Sequence, residues 1–160
     1  MAKLVLHSIE SGQNTTLADL RRVTGVKDFS PTKPEEILSL LLTSCYMGTV
    51  NSSDETRSRA KKLAERLGSF HYDTSIDDAV SAYMSMIQST LNFTPKYSIE
   101  GGTHAENLAL QNIQARNRMV TQYTFAQLAT TARSHPRAGS ALLVLSSGNV
   151  VRFCLPLLVL

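Results

Sequence analysis

The stretch Ala141-Leu-Leu-Val-Leu145 is apolar throughout, with no polar position left to face water. Successive side chains on a strand point to opposite faces. An unbroken apolar run therefore predicts a strand covered on both faces, the usual state in a parallel sheet. Parallel strands need long crossovers, normally helical, and the rest of the chain supplies them. Residues 42–47 read as a strand running into the loop 48–53. Ser52-x-x-Glu55 is a capping-box pattern. After it, Ala60, Leu63, Ala64 and Leu67 share one face, Arg57, Lys61, Glu65 and Arg66 fall elsewhere, and Gly68 marks the stop. Residues 70–76 read as a second strand. Residues 77–91 form an amphipathic helix with Val80, Tyr83, Met84, Ile87 and Leu91 in register, its methionines read as core filler. Thr103-x-x-Glu106 is a second capping box, opening a long helix from Ala105 to about Arg133.

Upstream, residues 16–23 fit a short helix, and residues 27–34 form a loop with two prolines. Pro34 stands at the first turn of a helix that continues through Glu35, Glu36 and Ile37. Residues 1–14 show no pattern that assigns them. The order strand, helix, strand, helix, helix, strand predicts an α/β domain built on a parallel sheet.

Bulk properties narrow the function classes. The chain has 160 residues, 42% of them apolar and 18% charged, which fits one domain with a core and excludes a disordered chain. Net charge is +3 and no run of five or more like charges occurs, so nucleic acid is not expected as a partner. Two cysteines, Cys45 and Cys154, make no disulfide framework and no Cys-x-x-Cys, which points to a reducing compartment and a cytoplasmic location. The N-terminus does not read as a signal peptide. The apolar tract 153–160 is far short of the about twenty residues that span a bilayer, so no membrane is expected.

Ligands of open α/β sheets bind at the carboxyl ends of the strands. Two loops lie there, 48–53 before a helix N-terminus and 146–149. The loop from Met47 to Ser53 reads either as a nucleotide-contacting loop or as an ordinary turn whose Asn and Ser residues cap. Asn112 and Arg116 lie four apart and share a helix face. An amide beside a guanidinium can hold a phosphate, carboxylate or carboxamide; a solvated polar stripe has the same spacing. His7, His71, His104 and His135 have no metal-ligand spacing, and there is no Gly-x-Ser-x-Gly elbow or Walker loop.

Several segments carry a resemblance: Leu42-Thr-Ser-Cys-Tyr-Met-Gly-Thr-Val-Asn-Ser-Ser-Asp-Glu-Thr56, Ala64-x-x-Leu-Gly68 with His71, Gly101-Gly102, Glu106-Asn-Leu-Ala-Leu-Gln-Asn-Ile-Gln-Ala-Arg-Asn-Arg-Met119, Ala126-Gln-Leu128, and Leu143-Val-Leu-Ser-Ser-Gly-Asn-Val150. Over residues 15 to 150 the chain resembles the synthetase domain of the glutamine-dependent NAD synthetases. The resemblance implies an N-type ATP pyrophosphatase fold, a Rossmann-like three-layer α/β parallel sheet. It implies ATP-dependent amidation of deamido-NAD to NAD through an adenylate, with Mg²⁺, and with ammonia from a glutaminase domain. It places Asn112 and Arg116 on deamido-NAD, and Ser147 and Met47 on ATP. Members of the family are expected to be homo-oligomers at full length.

Two departures shape the expectation for this chain. The family's Ser-Gly-Gly-x-Asp-Ser phosphate loop would precede residue 1. The family continues after Ser-Ser-Gly-Asn-Val with Asp-Glu, a magnesium ligand, where this chain reads Val151-Arg152. Residues 1–150 are thus expected to be a partial, incomplete synthetase domain, and 151–160 a divergent apolar tail of a truncated, frameshifted or spliced product, inactive alone. Pro156 argues against a central strand in that tail. The alternative is a non-catalytic nucleotide-binding or subunit-assembly module.

Overall fold

The computed structural model describes residues 1–145 and the backbone of 155–159. Helices α1 (Ala2–Glu10), α2 (Asn14–Thr24) and α3 (Pro34–Leu41) lead into strand β1 (Leu42–Gly48). Helix α4 (Asp54–Leu67) joins β1 to β2 (Phe70–Ser75). Helix α5 (Asp77–Leu91), a short 3₁₀ turn (Ser98–Glu100) and the long α6 (His104–Ala132) lead to β3 (Leu142–Val144), and β4 (Leu155–Val159) follows.

Strand order is β2-β1-β4-β3. β1 pairs with β2 in parallel, from Thr43 opposite Phe70 to Gly48 opposite Ser75. β4 pairs antiparallel with both β1 and β3, so β1, β2 and β3 run the same way and only β4 is reversed. Two expectations are corrected here. The apolar run 141–145 is not a strand covered on both faces: only Leu142–Val144 is strand, its one paired neighbour is antiparallel, and Leu143 is 40% exposed. The tail does enter the middle of the sheet, with Pro156 opposite Ser44. A proline there brings no N–H to the ladder; pairing along the flanking residues on both sides carries the strand.

Three layers follow from side-chain alternation along β1 and β2. Tyr46 and Asp73 face α4, where Arg57 meets both of them. Thr43 and Tyr72 face α6, meeting Arg133 and Phe125. Right-handed crossovers in opposite directions produce this arrangement. One apolar cluster joins Ala126, Ala129 and Leu142, with Leu41, Tyr72 and Val144 against it. A second joins Leu6, Leu20 and Ile37, so α1, α2 and α3 pack together. Ala2, Val5, Leu6 and Ile9 of α1 stand at helical spacing and all belong to that cluster; this is the signal in residues 1–14 that the sequence reading passed over.

Local chemistry sets the helix ends. Gly68 stops α4 at φ +68°, and a Cβ there would meet Glu35 Cβ at 2.9 Å and Glu35 O at 3.2 Å. The capping box expected at Ser52 and Glu55 does not form, and the cap falls one residue later. Ser53 is the cap and accepts the Thr56 N–H at 3.2 Å, whereas Ser52 Oγ accepts the Thr49 N–H at 2.9 Å and closes the preceding turn. At α6 the expected box is present: the Thr103 side chain accepts the Glu106 N–H, and Glu106 accepts the Thr103 N–H. Glu106 also accepts the Lys96 N–H at 2.9 Å, tying down the loop before the helix. Those N–H donors, Thr103 first, hold its carboxyl below the usual range. Helix α5 occupies the expected residues 77–91 but buries none of them, and Met86 is exposed, so its methionines are not core filler.

Candidate functional site

A cleft of about 250 Å³ opens at the carboxyl ends of β1 and β2. It is lined by Tyr46 and Gly48, by Thr49, Val50, Ser52, Ser53 and Asp54 of the following turn, and by Arg57, Ser75 and Asp77. The turn is fixed by its own polar groups: the Ser52 N–H donates to Thr49 O at 2.8 Å, and Ile76 N–H to Gly48 O at 3.0 Å. Gly48 has to be glycine here, since a Cβ would meet the Tyr46 ring at 2.9 Å. Arg57 donates to Asp73 at 3.0 Å and lies 5.8 Å from the centroid of the Tyr46 ring, so its charge is already matched. Asp77 is held by the Ser75 hydroxyl at 2.6 Å. A wall rich in hydroxyls and backbone amides can take sugar hydroxyls and the edge of a base. Its remaining carboxylates, Asp54 and Asp77, repel phosphate.

Met47, expected to lie on ATP, is half-buried on β1 and does not line this cleft; of the residues after it, Gly48, Thr49, Val50, Ser52 and Ser53 do. Its carbonyl accepts from Arg118 Nε at 3.4 Å. Ser147 and the loop 146–149 lie outside the described residues. Arg118 escaped the sequence reading, although the signal was present. Arg116-Asn-Arg118 puts two arginines two positions apart on a helix, and at about 100° per residue they point to nearly opposite sides. Burial pushes the Arg118 guanidinium below its usual range, opposed by Tyr46 and Asp77, and it remains a cation.

Asn112 and Arg116 do come together. With Tyr83, Ile113, Asn117 and Val120 they line a groove of about 220 Å³ that α5 shares with α6. Both are exposed and make no hydrogen bond or ion pair among the described residues. Beside them Asn117 is only 7% exposed, and its buried Nδ2 has no hydrogen-bond partner among the described residues. Arg116, two amides and an aromatic ring on one apolar groove suit a ligand carrying both a flat ring and an anionic or carbonyl group.

Among the described residues, no three His, Cys, Asp or Glu side chains converge on a point that could hold a metal ion. Among the described residues no helix is long and apolar enough to cross a membrane.

An open α/β sheet with helices on both faces defines an α/β domain of the Rossmann-like class. The NAD synthase family profile matches residues 35–132, and the chain belongs to that family. It is 45% identical over 151 residues to the glutamine-dependent NAD(+) synthetase of Saccharomyces cerevisiae, covering 94% of this chain and 21% of that protein. The Drosophila melanogaster enzyme of the same name is 43% identical over 150 residues, covering 94% of this chain and 19% of that protein. The chain thus spans about a fifth of the length of these relatives. The crystal structure of a glutamine-dependent NAD(+) synthetase from Cytophaga hutchinsonii superposes with a TM-score of 0.58 at 23% identity, over 87% of this chain and 27% of that one, and shares the fold.

Proposed function

We propose that this chain is the substrate-holding segment of an ATP-dependent C–N ligase that amidates deamido-NAD to NAD. The single observation that carries the reading is the groove in which Asn112 and Arg116 stand together beside Tyr83, both without hydrogen-bond or ion-pair partners among the described residues. Arg116 supplies a fixed cation for the dinucleotide pyrophosphate or the nicotinate carboxylate, and Asn112 a donor and an acceptor. The cleft over β1 and β2 receives the adenosine of ATP on Gly48 to Ser53. In the reaction, the carboxylate oxygen attacks the α-phosphorus and pyrophosphate leaves. Ammonia then attacks the acyl carbon and AMP leaves. The ammonia comes from a glutaminase domain, and the protein works in the cytoplasm as part of a homo-oligomer.

The isolated chain binds but does not turn over, because among the described residues nothing holds Mg²⁺ or neutralises the triphosphate fully. Calorimetry with deamido-NAD tests the first half of this statement; absence of binding at millimolar ligand removes the reading. An ATP- and ammonia-dependent assay for NAD tests the second half, and turnover above background overturns it. A second reading, a subunit-assembly module, is favoured by α5, which buries no residue and exposes Tyr83, Met86 and Leu91. Sedimentation of the purified chain tests it: a monomer at tens of micromolar would rule it out.

A further inference from the structure

Arg118 is half-buried, yet only one of its nitrogens is used. Nε donates to the Met47 carbonyl, and among the described residues its two terminal amino groups have no hydrogen-bond or ion-pair partner. A guanidinium presents a planar fork that fits two oxygens of a phosphate. Leaving that fork idle while partly withdrawing it from water is unfavourable unless something else occupies it. Its location says what that could be. Met47 lies between Tyr46 and Gly48, both of which line the cleft, and Asp77, another lining residue, lies within electrostatic reach of Arg118. The cleft's own cation, Arg57, is engaged by Asp73. Of the charged side chains lining or facing the cleft, Asp54 and Asp77 are anionic, so a polyphosphate seated there would meet net repulsion unless Arg118 answered it.

We propose that Arg118 is a phosphate-binding residue: the free end of its guanidinium grips a phosphate of the nucleoside triphosphate whose adenosine lies in the β1–β2 cleft. This rests on the placement of ATP proposed above and adds the group that meets its charge. The side chain is anchored at both Cα and Nε, so the fork is pre-positioned and little rotamer freedom is lost on binding. Arg116 and Arg118 then serve different ligands from opposite sides of one helix.

The test uses the full chain, its Arg118→Gln and Arg118→Lys variants, and three probes titrated by calorimetry: ATP, adenosine and inorganic tripolyphosphate. ATP and tripolyphosphate should weaken about tenfold or more in Arg118→Gln, with adenosine changed by less than about twofold. Equal weakening of ATP and adenosine would mean that Arg118 only shapes the β1 end, and the proposal falls. If Arg118→Gln loses its cooperative melt, Arg118→Lys decides, with ATP weakened about threefold and adenosine unchanged. Should the unsubstituted chain bind tripolyphosphate through Arg118 but neither ATP nor adenosine, the nucleotide placement fails and the anion site stands. If it binds adenosine alone, or none of the three, the anion site is overturned.

Discussion

Helix α6 sets an arginine at each end of β1, and the two are used in opposite ways. The spacing makes this possible: Arg118 and Arg133 are about 22 Å apart along a helix, the strand from Leu42 to Met47 spans about 17 Å, and the long arginine side chains cover the difference. At the amino end, Arg133 donates Nη1 to Thr43 Oγ1 at 3.0 Å and Nη2 to Leu40 O at 3.1 Å, its guanidinium stands 5.2 Å from the Phe70 ring centroid, and Nε has no partner among the described residues. At the carboxyl end, Arg118 uses Nε, and its two amino groups have no partner among the described residues. One side chain closes the structure, and the other leaves it open where α/β sheets bind ligands.

The largest expected effect is on stability at the closed end. Arg133→Ala removes two charge-assisted hydrogen bonds, leaving Thr43 Oγ1 without its Arg133 donor and Leu40 O with His135 Nε2, and should lower unfolding free energy by about 3 kcal/mol in urea titrations. Arg118→Ala should lower it by about 1 kcal/mol or less. Equal losses would erase the contrast between the two ends. Next, Arg116→Ala should weaken deamido-NAD about tenfold by calorimetry, with stability shifted by about 0.5 kcal/mol or less; a comparable loss of stability would make Arg116 another closing residue. Ser53→Ala, at the open end, should lower stability by about 1 kcal/mol through loss of the α4 cap. No change there would mean that the turn from Thr49 to Ser52 alone fixes the cleft wall.

The last prediction concerns pH. His135 Nε2 meets Leu40 O at 3.1 Å, and Nδ1 accepts the Arg137 N–H at 3.0 Å, an arrangement that requires the neutral ring. Burial, with Arg133 and Arg137 adding to it, pushes its pKa down against the pull of Leu40 O. Burial, helped by Lys61, also lowers that of His71, opposed by Asp73 and Glu65. Both rings are neutral in folded and unfolded chains above the ordinary histidine value of about 6.5. As pH falls below it, the unfolded chain takes up protons first, so stability declines until the folded values are passed. Melting temperature should therefore drop between pH 7.5 and 5.5. His135→Gln should flatten part of that drop; an unaltered slope would remove His135 from the closed end's pH response.

Much of this was legible in the sequence. The limits of α5 follow from Asp77 and the turn after Leu91, and the α6 box from Thr103 and Glu106, because helix ends are decided by neighbours in the chain. The pairing of Asn112 with Arg116 followed from spacing for the same reason. Features decided by distant parts of the chain were not legible. Burial of 141–145 depends on what lies alongside it, and β4 stands there. Pro156 argued correctly about one hydrogen bond and wrongly about the strand, since partners on two sides outweigh one missing donor. Arg118 was passed over because its meaning depends on Met47, far away in sequence. The slip from Ser52 to Ser53 shows two adjacent serines dividing between turn and cap, a choice made by the geometry of the turn.

The reversed strand has a consequence in time. Leu42 pairs with Leu158, and no direct β1–β3 pairing exists without β4 between them. During synthesis, β1, β2 and β3 leave the ribosome before the strand that joins them. Until it arrives, facing edges of β1 and β3 stay open, and contacts this distant in sequence form slowly. Those open edges are where a chain whose β4 has not yet docked would pair wrongly or aggregate.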